Sequence, residues 1–172
     1  WFFLISLVFL ASVFIPGLGV EYGTARSWVN IFGFSLQPSE LVKLTFLLYL
    51  ASWFEKRHIS QIKSFREGFL PFIFSLGVIA VLIMLQPDLG TLIMIVCISF
   101  TIFFLVGMSW RDFFLFIFGG VLFLVLAIRM APYRLARLTA FLHPESDTLG
   151  IGYHIHQALL AIGSGGIFGV GF

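Results

Sequence analysis

Residues 69–109 read FLPFIFSLGVIAVLIMLQPDLGTLIMIVCISFTIFFLVGMS and carry one formal charge, Asp88. A helix crossing the hydrocarbon core of a bilayer needs about 20 mostly apolar residues, and this stretch holds two such lengths, 69–85 and 89–109, joined at Gln86-Pro87-Asp88. Membrane β-strands alternate apolar and polar residues. These runs are apolar on every side, as helices surrounded by lipid and by other helices must be. Outward from this pair, further apolar runs fill 113–128, 37–54 and 1–20, the second of them interrupted by Lys43. The reading is an all-α, polytopic transmembrane helix bundle with about five spans and a long loop, 129–172, after the last.

Composition agrees. Of 172 residues 60% are apolar and only 10% charged, with 23 phenylalanines. A soluble domain carries about 25% charged residues, and ten Lys/Arg with eight Asp/Glu cannot cover a soluble globule of this size. Disorder needs low hydrophobicity and high net charge, the opposite of what is found. A net charge of +2 on dispersed carriers gives no nucleic-acid footprint, and a single cysteine, Cys97, inside an apolar run gives no disulfide framework. The chain opens at Trp1 within an apolar run and stops at Phe172 within a Gly-rich one, with no basic n-region ahead of Phe2. It reads as an internal fragment.

Orientation follows from the basic residues. The loop between the second and third runs carries Lys56, Arg57, Lys63 and Arg66, which the positive-inside tendency places in the cytoplasm. Alternation then puts 21–40, 86–90 and 129–172 outside, and 55–68 and 110–112 inside. Arg129, Arg134 and Arg137 fall on the outer side against the bias, so either the topology is reversed or those arginines have a task such as meeting a phosphate.

Three segments carry chemistry. In Gln37-Pro38-Ser39-Glu40 with Lys43, Pro38 suits a first helical position, Glu40 suits the positive end of a helix dipole, and Glu40 and Lys43 stand three apart on one face. This fits a capped helix start with Trp28 anchored at headgroup level, but a lysine nearly a turn into a span needs a partner or an aqueous neighbour. Asp88, expected on the same side of the membrane, is the natural partner. It suits either a helix-capping turn residue or one member of a buried cluster of Glu40, Lys43 and Asp88 lining a polar cavity. The last segment holds Arg134, Arg137, His143, Glu145, Asp147, His154, His156 and Gln157, then Gly163-Ser164-Gly165-Gly166. Loops of that length are usually functional or disordered. Its piece 153–162 sets His154, Gln157 and Ala161 on one helical face, as a short amphipathic helix would. His154 and His156 do not share a face, so no two-histidine metal site is expected. No P-loop, Gly-x-Ser-x-Gly elbow or Cys-x-x-Cys is present.

Arg26-Ser27-Trp28 with Gln37-Pro38-Ser39-Glu40 and Lys43, then Gln86-Pro87-Asp88-Leu89-Gly90-Thr91, then Tyr153-His154 with Gln157-Ala158-Leu159 and Ala161-Ile162-Gly163-Ser164-Gly165-Gly166, resemble the SEDS family of RodA, FtsW and SpoVE in the same order. The resemblance covers essentially the whole chain, as part of one membrane-embedded domain, and implies about ten spans in the complete protein. It further implies a multi-pass peptidoglycan glycosyltransferase of the bacterial inner membrane. Such an enzyme polymerises lipid II, an undecaprenyl-pyrophosphate-linked substrate, for cell elongation or division beside a class B penicillin-binding transpeptidase. Pro144-Glu145-Ser146-Asp147 before Gly152-Tyr153-His154 looks closer to RodA, with FtsW-like roles open. The family's proposed catalytic aspartate lies in a His-Thr-Asp-Phe-Ile-Phe motif expected after Phe172, so no residue here takes that role.

On that template Glu40, Lys43 and Asp88 form the substrate cavity or a structural charge cluster. Arg26, Trp28, Arg134, Arg137, His154, Gln157 and Ser164 are candidates for contact with substrate or its phosphates, and residues 163–166 let the loop close over it. No cofactor is assigned, although a divalent cation, Mg or Mn, is compatible with pyrophosphate chemistry. A lipid II flippase and a non-catalytic scaffold of the division or elongation machinery are the alternative functions.

Overall fold

Residues 2–12 open the structure as an apolar helix, α1 (Phe2–Ser12), which closes well short of the expected end at Val20. Pro16 lacks the N–H a continuing helix would need, and the chain turns into a strand, β1 (Gly19–Tyr22), followed by β2 (Ala25–Ile31) and β3 (Phe34–Leu36). The helices α2 (Pro38–Glu55), α3 (Ile59–Ile62), α4 (Leu70–Leu85), α5 (Leu89–Val106), α6 (Trp110–Arg129), α7 (Pro132–Leu142) and α8 (Tyr153–Gly165) come next, with a π-helical turn, Phe65–Phe69, leading into α4. The structure is a computed structural model and describes residues 1–22, 25–31, 34–143, 150, 152–166 and 169, without the side chains of 20–22, 25, 26, 31 and 154. Residues 144–147 of the motifs above, and the side chains of Arg26 and His154, therefore lie outside the described residues.

The described residues form two compact units, Trp1–Phe114 and Leu115–Phe172, with the division inside α6. The architecture is an all-α helix bundle with one small sheet. Three helices among the described residues are long and apolar enough to cross a membrane: Phe65–Leu85 with 21 residues, Leu89–Val106 with 18 and Trp110–Arg129 with 20. Of the other two expected spans, α1 is an apolar helix of 11 residues, and α2, with 18, carries Glu40, Lys43 and Glu55.

In the first unit α1 packs on α2, α2 on α5, and α5 on α4. Each helix buries one stripe although it is apolar all round. On α2 the stripe is Val42, Thr45, Phe46, Leu50 and Phe54; on α4 it is Phe72, Ser75, Leu76, Ile79 and Ile83; on α5 it is Thr91, Leu92, Ile95, Ser99 and Phe103. The spacing of three and four is that of one helical face. Small polar residues sit inside these stripes, as they do where membrane helices meet, and the Ser6 and Thr45 hydroxyls join α1 to α2 at 2.7 Å. Near one end, the ring of Phe103 packs between Phe54 and Phe72, 5.1 and 4.7 Å away between centroids.

Helix ends follow local chemistry. α5 stops at Val106 rather than at Ser109 because Gly107 takes a left-handed φ of +111° and its N–H turns back to Phe103 and Phe104 carbonyls. α6 starts at Trp110, ahead of the expected Phe113, because Ser109 Oγ accepts the Asp112 N–H at 3.3 Å as an N-cap does. Pro71 cannot donate to the carbonyl of Glu67 four residues earlier. The turn ahead of it widens, with the Phe69 N–H reaching Ser64 O, and Arg57 Nη1 donates to Glu67 O at 2.9 Å.

The loop 21–40 is more ordered than expected. β1, β2 and β3 form an antiparallel sheet in that order, with Val29 opposite Leu36 and a bulge between Val20 and Glu21. β2 lies against α2, burying Ser27 and Val29 while Asn30 stays exposed. In the second unit the expected loop contains two helices, α7 and α8, the latter at the amphipathic segment 153–162.

Candidate functional site

The start of α2 is where polar chemistry collects. Gln37 is its extended N-cap, Pro38 occupies the first turn and Glu40 is the acidic residue of that turn. Lys43 Nζ lies 2.7 Å from Glu40 Oε2, with 17% of the Lys43 side chain exposed against 56% of Glu40. The partner of Lys43 among the described residues is therefore Glu40, one turn away on the same helix, while Asp88 is held by other groups. Asp88 N-caps α5, its Oδ1 accepting the Thr91 N–H at 3.1 Å, and its Oδ2 accepts Gln37 Nε2 at 3.2 Å. One carboxylate thus fastens the start of α5 to the start of α2. The three charged residues are brought to one end of the bundle, two as a direct ion pair and the third through Gln37.

Two residues that sequence reasoning quoted only as motif letters complete this end. Gln86 is fully buried and its Nε2 donates to the Leu10 carbonyl at 3.0 Å. That oxygen lies in the last turn of α1, where carbonyls lack helical partners, so the amide ties the α4–α5 turn to α1. Gln86 Oε1 and the buried Ser39 Oγ have no hydrogen-bond partner among the described residues. Buried polar atoms are normally paired; among the described residues the third such atom is Asp112 Oδ2, at the start of α6. A glutamine flanked by apolar runs was the available signal. Gln86→Ala is expected to lower stability by about 1–3 kcal/mol by stripping the Leu10 carbonyl of its donor, read as a lower Tm of the detergent-solubilised full-length protein.

The remaining candidates are placed as follows. Arg26 sits on β2 in register with Glu21, and Trp28 is half-buried two positions on. In the second unit Arg134 is largely engaged: Nη1 donates to the Ala127 carbonyl at 2.7 Å, in the last turn of α6, and Nε donates to Tyr133 Oη at 3.1 Å. Arg137 is exposed, its guanidinium 5.8 Å from the Tyr133 ring centroid. Its five donors suit phosphate oxygens, which makes it the freer of the two arginines. Gln157 and Ser164 lie exposed on α8, and Ser164 Oγ donates back to the Leu160 carbonyl at 2.8 Å. Among the described residues no group of three or more His, Cys, Asp or Glu side chains is arranged to hold a metal ion.

Comparison with known proteins places this arrangement. The family model of FtsW, RodA and SpoVE, described as a cell cycle protein, matches residues 1–172. The chain is 39% identical over 171 residues to the "Probable peptidoglycan glycosyltransferase FtsW" of Aromatoleum aromaticum, covering 99% of this chain and 42% of that protein. It is 40% identical over 173 residues to the stage V sporulation protein E of Bacillus subtilis, covering 97% and 45%. In structure it is similar to a chain of a peptidoglycan synthase complex that coordinates polymerization and crosslinking, with a TM-score of 0.73, 33% identity and coverage of 96% and 48%. The rod shape determining protein RodA of Thermus thermophilus is also similar, at a TM-score of 0.58, 30% identity and coverage of 71% and 39%. The chain spans less than half the length of these relatives.

Proposed function

The chain belongs to the FtsW, RodA and SpoVE family of cell cycle proteins, and on that footing we propose that it is part of a multi-pass inner-membrane enzyme that polymerises lipid II into glycan strands. The observation that carries the reading is the constellation at the start of α2: an ammonium at Lys43, carboxylates at Glu40 and Asp88, and the Gln37 amide that links α2 to α5. An ionisable side chain within a membrane span is costly unless it is paired or meets water, and marks a site by default.

Glycosyl transfer from a lipid pyrophosphate joins a sugar hydroxyl to the anomeric carbon while the C–O bond to the pyrophosphate breaks. The hydroxyl proton passes to a base, and the leaving group departs with its negative charge. The chemistry therefore needs a carboxylate for the proton and cations for the pyrophosphate. Lys43 is proposed to supply positive charge to the substrate, with Glu40 holding its ammonium in place. Asp88 orients the start of α5 and, through Gln37, the start of α2. Arg137 is proposed as a further phosphate contact. The base itself is assigned to no residue of this chain. A class B penicillin-binding transpeptidase is proposed as the partner, supported by the likeness to a chain of a synthase complex that both polymerises and crosslinks.

Reconstitution of the full-length protein in liposomes with labelled lipid II tests the reading. Lengthening glycan strands are expected. Movement of lipid II across the bilayer with no glycan product would overturn the polymerase assignment in favour of a flippase, and neither activity would favour a scaffold.

A further inference from the structure

The end of the first unit remote from Glu40, Lys43 and Asp88 carries a different pattern. Residues 53–69 and 107–112 meet there: the Arg111 guanidinium lies 4.9 Å from the Phe65 ring centroid, and Ile59 Cδ1 lies 3.9 Å from where a Cβ on Gly107 would stand. Four cations, Lys56, Arg57, Lys63 and Arg66, stand against two acids, Glu55 and Glu67. Arg57 is spent on structure, stacked 4.1 Å from the Trp53 ring centroid and bonded to the Glu67 carbonyl. Arg111 is spent on Asp112, donating from both Nε and Nη2 to Oδ1 at 3.0 Å and so masking a carboxylate that is itself fully buried. The side chains of Lys56, Lys63 and Arg66 are exposed and have no hydrogen-bond or ion-pair partner among the described residues.

Along the same segment as these three cations, Ile59 is 63% and Phe65 36% exposed, and Trp110 at 70% marks the same end. Tryptophan belts mark the headgroup level of a bilayer. A cation cluster directly beyond spanning helices, with apolar side chains that reach the acyl boundary, matches the chemistry of an anionic lipid headgroup. We infer that this end is a binding surface for anionic phospholipid of the adjoining leaflet, with Lys56, Lys63 and Arg66 meeting headgroup phosphates while Ile59 and Phe65 sit among the upper acyl chains. α3 and the π-helical turn then act as a shallow interfacial element that the lipid holds against the bundle.

Native mass spectrometry of the full-length protein in detergent, titrated with phosphatidylglycerol and, as neutral control, phosphatidylcholine, tests this. Wild type should retain phosphatidylglycerol preferentially. The triple variant Lys56→Gln, Lys63→Gln, Arg66→Gln should bind it about fivefold more weakly per cation removed, on the order of a hundredfold in all. The charge-preserving Lys56→Arg, Lys63→Arg, Arg66→Lys variant should retain it. Should the glutamine variant not fold, wild type in 0.5 M ammonium acetate (~4 Å screening length) should still lose its preference. Equal retention of both lipids by wild type, or undiminished phosphatidylglycerol on the triple variant, overturns the proposal.

Discussion

Gly68→Ala is expected to destabilise the fold by on the order of 3 kcal/mol or more and to leave little monodisperse protein after solubilisation. Gly68 is buried in the π-helical turn, and an alanine Cβ would fall on the Ile62 carbonyl oxygen, 2.8 Å from the Ile62 carbonyl carbon and 3.0 Å from the Gln61 carbonyl oxygen. Every one of these neighbours is backbone, so no side chain can swing aside. Relief requires the backbone of α3 and that of the turn to move apart. Overpacking against backbone lies at the severe end of what single substitutions cost. Thermal unfolding of the full-length protein in detergent reads the effect, and a Tm unchanged from wild type would contradict the close approach.

The second large effect concerns activity. Lys43→Ala is expected to lower glycan polymerisation by a hundredfold or more, the scale on which removing a preorganised charge partner in a water-poor site acts. It should do so with little change in Tm, since the Glu40 side chain left behind is more than half exposed and readily hydrated. Asp88 needs two variants. Asp88→Ala removes both the α5 cap and the acceptor for Gln37, so part of its effect is structural, about 1 kcal/mol for the cap alone. Asp88→Asn keeps an oxygen for the Thr91 N–H and lets the Gln37 amide turn over to satisfy its neighbour. Activity lost in both, with Tm lowered mainly in the first, separates the charge from the cap.

The fold class was legible because it depends on a quantity that composition and run length report directly. A stretch such as 69–109 with one charge has few homes other than a bilayer, and its break at Gln86-Pro87-Asp88 falls where α4 ends and α5 begins. What could not be read was which face of each helix meets its neighbours. Lipid is as apolar as leucine, so no hydropathy period distinguishes Phe72 or Ile79 on the buried stripe of α4 from Phe74 or Val81 on its exposed side. The signal that does survive is the placing of small polar residues, since Ser6, Thr45, Ser75 and Ser99 all fall on buried faces. The sheet was hidden for a different reason: its strands run to seven residues at most, in a segment read as a loop, although Ser27 and Val29 alternate with Trp28 and Asn30 as a half-buried strand does.

At the candidate site, charge and spacing were enough to single out Glu40, Lys43 and Asp88. The three-residue interval put Glu40 and Lys43 on one helical face, where they form an ion pair, whereas Asp88, the partner expected for Lys43, caps α5 and accepts from Gln37 instead. The link from Asp88 to Gln37 spans 51 positions and joins two different helices, and no local pattern encodes a contact of that kind. Arg134 shows the converse. Its chemistry suits phosphate, yet the structure gives its guanidinium to the Ala127 carbonyl and the Tyr133 hydroxyl, which only the fold reveals. Arg137, in the middle of α7 and carrying no such bonds among the described residues, is left as the exposed cation of that helix.

The polar end of α2 either serves the reaction or only holds the helices together. The most direct measurement is the rate of glycan formation from lipid II by the full-length protein carrying Lys43→Ala or Asp88→Asn, set beside wild type at matched Tm. A hundredfold loss in both is the expected result. Wild-type rates in both would reduce Glu40, Lys43 and Asp88 to a structural ion pair and a helix cap.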